Sequence, residues 1–292
     1  MNLVTARERD AQLAVGRAQA SGRRLAQRER NWLVPLGRCG YAANGLVYLL
    51  VGVLAVQAGL GQGGDTTDPA GVLGHVIQAP FGHVLLAIVA IGLTGYALWR
   101  LLQAALDTEH QGSQIKGIVT RCGYAVAAFT YAGLAFSAVA MLTRGVAQPN
   151  EDQSTQDRTA WLLSQPFGRW LVVLAGVVVV GVALNQFVLA WRGTLDRQLQ
   201  TRNLDPQLRQ VVSAAARLGN TARGVAFGLI GAFLMVAGVQ ARPDQARGLA
   251  GALNSLAQQP FGPWLVGLVG IGLIGYGVHM LVAARYRRMV LE

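Results

Sequence analysis

Polar and apolar positions along the chain fall into long blocks. Six blocks, at 36–59, 81–106, 118–142, 167–191, 214–240 and 261–284, carry almost no charge. Each block has about 24 residues, or ~36 Å of helix at 1.5 Å per residue, enough to cross a ~30 Å hydrocarbon core with some tilt. Helices of a soluble core are usually shorter and keep a polar stripe. The pattern therefore predicts an all-α membrane protein with six transmembrane helices.

The blocks come in pairs. Gln78-Ala79-Pro80-Phe81-Gly82 returns as Ser164-Gln165-Pro166-Phe167-Gly168 and as Gln258-Gln259-Pro260-Phe261-Gly262, each time just ahead of an even-numbered block. Gly95, Gly181 and Gly275 stand fifteen positions beyond the three prolines. The odd-numbered blocks open with Arg38-Cys39-Gly40-Tyr41, Arg121-Cys122-Gly123-Tyr124 and Arg217-Leu218-Gly219-Asn220, and five positions past each glycine come Gly45, Ala128 and Gly224. The unit is an outbound helix, a connection, Pro-Phe-Gly and a return helix. This divides the chain into an arm at 1–31 and repeats at 32–110, 111–200 and 201–292. Each repeat crosses twice, so all three share one orientation. They are parallel helical-hairpin repeats, expected to be related by approximate threefold rotation about the membrane normal.

Proline suits the first turn of a helix and disfavours helix just before it. Apolar stretches at 71–78, 159–165 and 248–258 are therefore expected to form short interfacial helices that stop at Pro80, Pro166 and Pro260. Phe81, Phe167 and Phe261 are expected to anchor at the interface, with Gly82, Gly168 and Gly262 permitting the bend. Gly224 and Gly228 form a GxxxG, and Gly267, Gly270, Gly272, Gly275 and Gly277 thin the last block. Small residues let helix backbones approach closely in lipid, where van der Waals packing replaces the hydrophobic effect.

The Arg-x-Gly openings and polar-x-Pro-Phe-Gly returns, in three registered copies, resemble the membrane family catalogued as domain of unknown function 1206. Members of that family carry tandem copies of a two-helix unit. The resemblance covers about 36–285 and departs at Leu218 and Asn220, which replace the Cys and Tyr of the first two repeats. It implies the fold and carries no activity with it.

A net charge of +11 invites a nucleic-acid reading, which the placement of the charge contradicts. Of the 25 Lys and Arg, nineteen lie in 1–38, 100–121, 192–217 and the C-terminal tail; five lie in the alternate connections, and Arg223 lies inside a block. This positive-inside asymmetry predicts a plasma-membrane protein with both termini cytoplasmic. Attraction to anionic lipid follows second, and no nucleic-acid partner is expected. The basic arm has no apolar core and is no signal sequence; a cytoplasmic helix is expected there.

Little chemistry appears. Cys39 and Cys122 sit at the mouths of their helices and are expected to stay reduced thiols. His75, His83, His110 and His279 have neither the spacing nor the companions of a metal or haem site. No Asp or Glu lies inside any block, whereas proton-coupled pumps place carboxylates there. No enzyme, cofactor or metal is expected. One polar layer remains: Asn44, Asn185, Arg223 and His279 fall ~9–11 Å inside the cytoplasmic helix ends. Either Arg223 snorkels to the headgroups while the others bond between helices, or the four form a pocket for a lipid headgroup or small anion. The sequence thus predicts a non-catalytic structural, interaction or anionic-lipid-binding protein. The rival is a passive channel or small-solute transporter, which the apolar outer halves of the blocks disfavour.

Overall fold

The computed structural model describes residues 35–62, 66–106, 114–145, 151–192 and 205–286, and these are helical almost throughout. The arm at 1–31 lies outside the described residues. Six helices are long and apolar enough to span a bilayer: α1 (Pro35–Gly59), α3 (Gly82–Leu106), α4 (Ile115–Arg144), α6 (Gly168–Arg192), α7 (Pro206–Gln240) and α9 (Gly262–Tyr286). Three shorter ones, α2 (Pro69–Gln78), α5 (Glu151–Leu163) and α8 (Leu249–Ala257), precede the Pro-Phe-Gly turns. Two boundaries differ from expectation. α7 starts earlier, at Pro206, because Asp205 accepts the Gln207 N–H and proline occupies the first turn. α5 begins in the charged stretch Glu151–Arg158, which a search for apolar stretches passes over.

The three turns share one geometry, and it differs from the expected bend. Gly82, Gly168 and Gly262 donate their N–H to the carbonyls of Ala79, Gln165 and Gln259 at 2.8, 2.9 and 2.7 Å. Each is a four-residue turn with proline second and a positive φ third, the pattern of a type II turn. The residue at positive φ is the phenylalanine: 60° at Phe81, 62° at Phe167 and 62° at Phe261. Its carbonyl then accepts the N–H of Leu85, Leu171 or Leu265, so it caps the return helix. Proline therefore precedes the helix and does not sit inside its first turn. The glycines serve closeness: a Cβ on any of them would overlap the carbonyl of Ile77, Leu162 or Ala257 in the last turn of the short helix. The three rings project outward, 84%, 82% and 80% exposed. With Trp161, Trp170 and Trp264, also exposed, they form an aromatic belt. Trp191 is exposed at the opposite, basic end of α6, 21 residues or ~31 Å from Trp170, a bilayer-sized separation.

Between repeats, each outbound helix packs on the return helix of the repeat before it: α4 on α3, α7 on α6 and, closing the circle, α1 on α9. These three interfaces obey the threefold. A Cβ on Gly52 would lie 2.7 Å from the Gly270 carbonyl oxygen, and one on Gly231 would lie 2.9 Å from that of Gly176; the third equivalent pair is Ala135 with Ala90, both buried.

Within repeats the symmetry breaks. In the first, a Cβ on Gly40 would stand 2.6 Å from the Tyr96 Cα; in the third, one on Gly219 would stand 2.6 Å from the Tyr276 Cα. In the second, α4 and α6 make little or no direct contact among the described residues. Gly123, the counterpart of Gly40, has nothing within 4 Å of its Cβ position, and neither has Gly181. Gly95 and Gly275 pack against Leu36 and Ala215 as expected; Gly181 does not join them. The cause is legible in side-chain volume. Gly92 abuts Ala43 and Gly272 abuts Ala222 so tightly that an added Cβ would overlap the alanine. The second repeat puts Val178 and Val126 at these two positions, and two valines do not fit where a glycine and an alanine already touch. The six long helices form a ring with one open seam, between α4 and α6.

Candidate functional site

Inside the ring, toward the basic end, aromatic rings gather around two arginines. Tyr48 of α1 and Tyr276 of α9 meet edge to face, with centroids 4.8 Å apart. The Arg223 guanidinium of α7 lies 4.3 Å from the Tyr276 ring centre, 5.5 Å from that of Tyr48 and 5.0 Å from that of Phe227. Arg223 therefore turns into the bundle and does not snorkel. Its Nε is buried and unpaired, and among the described residues the guanidinium makes no hydrogen bond or ion pair. Each cation–π contact is worth about 0.5–2 kcal/mol, so three of them are of the order of the ~2.5–3.5 kcal/mol cost of arginine at a transmembrane helix centre, but they give the N–H donors no hydrogen-bond acceptor.

Asn44 lies one turn from Tyr48 on α1, and His279 three residues from Tyr276 on α9, each on the same side of its helix as the ring. Asn44 is fully buried, with neither amide atom paired among the described residues. His279 is 4% exposed. The fourth member of the expected layer, Asn185, does not converge; it is exposed on α6 because the seam leaves that face uncovered, and its neighbour Gln186 is buried instead. Its counterparts in the other repeats, Trp99 and His279, are buried.

A second caged cation, Arg100, falls where the expected block at 81–106 and the basic connection at 100–121 overlap. Its guanidinium lies 4.9 Å from the Tyr96 ring centre, 5.2 Å from that of Tyr124 and 5.8 Å from that of Tyr41. It donates to the Tyr96 hydroxyl at 2.6 Å and to Gln103 Oε1 at 3.1 Å. Counted with the basic connection, it lies inside α3, and the signal was the apolar stretch Leu101–Leu106 that carries the helix beyond it. Tyr96 also meets Tyr131 of α4 edge to face at 4.6 Å.

Other features do less. Arg121 caps α3 by donating to the Ala104 and Ala105 carbonyls at 2.8 and 3.1 Å, a physical role for the arginine that opens the second repeat. Cys39 and Cys122 are exposed free thiols. His75 bonds its own helix at the Gly71 carbonyl, and among the described residues no three His, Cys, Asp or Glu side chains stand together. At the Pro-Phe-Gly end, a cavity of about 190 Å³ lies between α5, α6 and α7 around Arg158 and Thr159.

Six apolar spans, three Pro-Phe-Gly hairpins and an interior without carboxylates define a multi-pass membrane protein built from tandem two-helix repeats. The chain belongs to the family described as Domain of Unknown Function (DUF1206), which matches it three times, at 39–107, 122–193 and 218–287. It is also 35% identical over 269 residues to the "Uncharacterized protein YxxB" of Bacillus subtilis (strain 168), covering 92% of this chain and 96% of that protein. No solved structure matches.

Proposed function

We propose that this is a non-catalytic plasma-membrane protein that binds an anionic lipid headgroup at Arg223, in the leaflet at its basic end. The observation that carries the reading is a buried-facing guanidinium whose donors have no acceptor among the described residues. Planar N–H donors match phosphate oxygens, and charge-assisted bonds of that kind are the strong ones. Fully buried Asn44, one turn along α1 from Tyr48 and with its amide unpaired among the described residues, adds a donor and an acceptor on that face. The aromatic fill of Tyr48, Tyr96, Tyr131 and Tyr276 favours a binding site over an open pore.

Arg223→Ala is expected to lose co-purifying anionic lipid and to melt earlier in detergent, while Arg217→Ala does little. Lipid mass spectrometry and melting curves on both variants check this; equal lipid retention sinks the proposal. The nineteen-to-five charge split supports cytoplasmic termini. Reporters fused after Gly64, Asp107, Asp152, Arg202 and Arg247 are then expected to read outside, inside, outside, inside, outside, and a cytoplasmic signal at Gly64 overturns that orientation.

A further inference from the structure

The seam between α4 and α6 opens sideways, into the plane of the bilayer. On α4 its wall is Val119, Gly123 and Val126; on α6 it is Val178, Gly181, Val182 and Asn185, and all seven are exposed. The counterparts of Val182 are Tyr96 and Tyr276, the two rings closest to Arg100 and Arg223. The seam therefore lies at the depth of the caged arginines. On the α4 side Tyr124, next to Gly123 in the chain, stands 5.2 Å from the Arg100 guanidinium. Nothing along this path carries a negative charge, since no Asp or Glu lies in the spans.

We propose that the α4–α6 seam is a lateral gate through which one anionic phospholipid enters the ring. Its acyl chain lies between Val126 and Val178, and its phosphate bears on the caged arginines. The proposal rests on the headgroup reading above and adds the route. Charge complementarity selects the occupant. The seam walls are apolar, with Asn185 their one polar side chain, and at their depth stand two cations that have no carboxylate partner among the described residues. A zwitterionic lipid carries, beside its phosphate, an ammonium that the two arginines repel, and an apolar partner helix would bring nothing to pair with them. The other two hairpins are closed by Gly92 on Ala43 and Gly272 on Ala222, so the gate is confined to one of three otherwise equivalent positions.

The test uses the full chain in nanodiscs containing a trace of phospholipid with a photoreactive diazirine in its acyl chain. One preparation carries it on a phosphatidylglycerol headgroup, the other on phosphatidylcholine. Adducts are mapped by peptide mass spectrometry. The expected result is several-fold more labelling on the peptides bearing Val126 and Val178 than on the outward positions Ile88 and Ile91, with the phosphatidylglycerol probe preferred. The triple variant V126A/V178G/V182Y copies the closed repeats and is expected to bring seam labelling down to the level at Ile88. If that variant does not fold, the wild-type ratio and headgroup preference still decide. Labelling equal to Ile88, or no headgroup preference, overturns the gate. So does an inter-chain disulfide formed efficiently by Gly181→Cys, since a second copy would then fill the seam. The two readings fail separately. If Arg223→Ala loses its anionic lipid while the wild-type seam goes unlabelled, the headgroup site stands and the gate falls. If Arg223→Ala keeps its lipid, the headgroup site falls whatever the seam shows.

Discussion

The second hairpin and the third are built from the same unit and end in the same turn, yet one is open and the other closed. Their turns agree closely: φ is 62° at both Phe167 and Phe261, and the following glycines both press on the helix before them. Their between-repeat faces agree as well, Gly176 against Gly231 in one and Gly270 against Gly52 in the other. What differs is a pair of positions. Gly272 meets Ala222 in the third hairpin, and Val178 stands opposite Val126 in the second. In lipid, helix association depends on van der Waals packing, so close approach is the main adhesive available. A few methyl groups then decide whether two helices touch. The contrast teaches that the turn sets the hairpin's direction while the small-residue crossing sets its closure.

The sharpest way to break this comparison is to make a closed hairpin resemble the open one. Gly219→Leu forces a side chain into the Tyr276 backbone, which already stands 2.6 Å from a Cβ position. Overpacking at such a site costs about 3 kcal/mol. Gly123→Leu adds the same atoms where nothing stands within 4 Å, and is expected to change stability by no more than ~0.5 kcal/mol. Thermal unfolding of both variants in the same detergent checks the contrast. Comparable losses in the two would mean that α4 and α6 touch after all.

The Pro-Phe-Gly ends give the open repeat a further attachment, beside the packing of α4 on α3 and of α7 on α6. Asp152 of α5 accepts the N–H of Gly248 at 2.6 Å and of Gly251 at 3.3 Å, capping α8 of the next repeat. Gln156 donates to the Ala246 carbonyl at 3.4 Å, and Thr66 bonds Asn254 of the same α8. α5 is thus polar because it reaches across to a neighbour, whereas α2, capped by its own Asp68, buries Val72, Leu73 and Val76. The second repeat makes up in lateral polar contacts part of what it lacks along its helices.

Much of this was legible in the sequence. Blocks nearly free of charge mark the spans, and the registered Pro-Phe-Gly copies mark the hairpins, because both are local properties of composition and turn chemistry. The polar layer was read partly. Asn44 and His279 are buried and Arg223 turns inward, since residues at equal depth on neighbouring helices share an interior when those helices face it. Asn185 fails because depth alone does not say whether the opposite helix is present. The cue was there: Val126 and Val178 where the other repeats have Ala43 with Gly92 and Ala222 with Gly272. It becomes decisive only once those pairs are known to touch. The aromatic cages were hidden for another reason. Tyr48, Tyr96 and Tyr276 look like ordinary apolar helix residues until geometry places cations over their faces.

The smallest expected effect concerns the part the hairpins share, and it sharpens what the turn contributes. A phenylalanine at φ near 60° carries about 1–2 kcal/mol of backbone strain that glycine does not. Three copies of it persist with rings more than three-quarters exposed, so burial within the protein does not offset the strain. An interfacial anchor would, because an amphipathic depth in the bilayer is where exposed aromatic rings gain most. Phe167→Gly is therefore expected to raise stability by about 1 kcal/mol in detergent, where no ordered interface exists. In bilayer nanodiscs the loss of the ring is expected to cancel that gain. Phe261→Gly, in the closed repeat, is expected to behave alike, since the turn geometry is common to both hairpins. Melting of the two variants in detergent and in nanodiscs checks the sign reversal. Destabilisation in detergent by either would show that the rings pack on the protein and that strain at the turn is not what sets their cost.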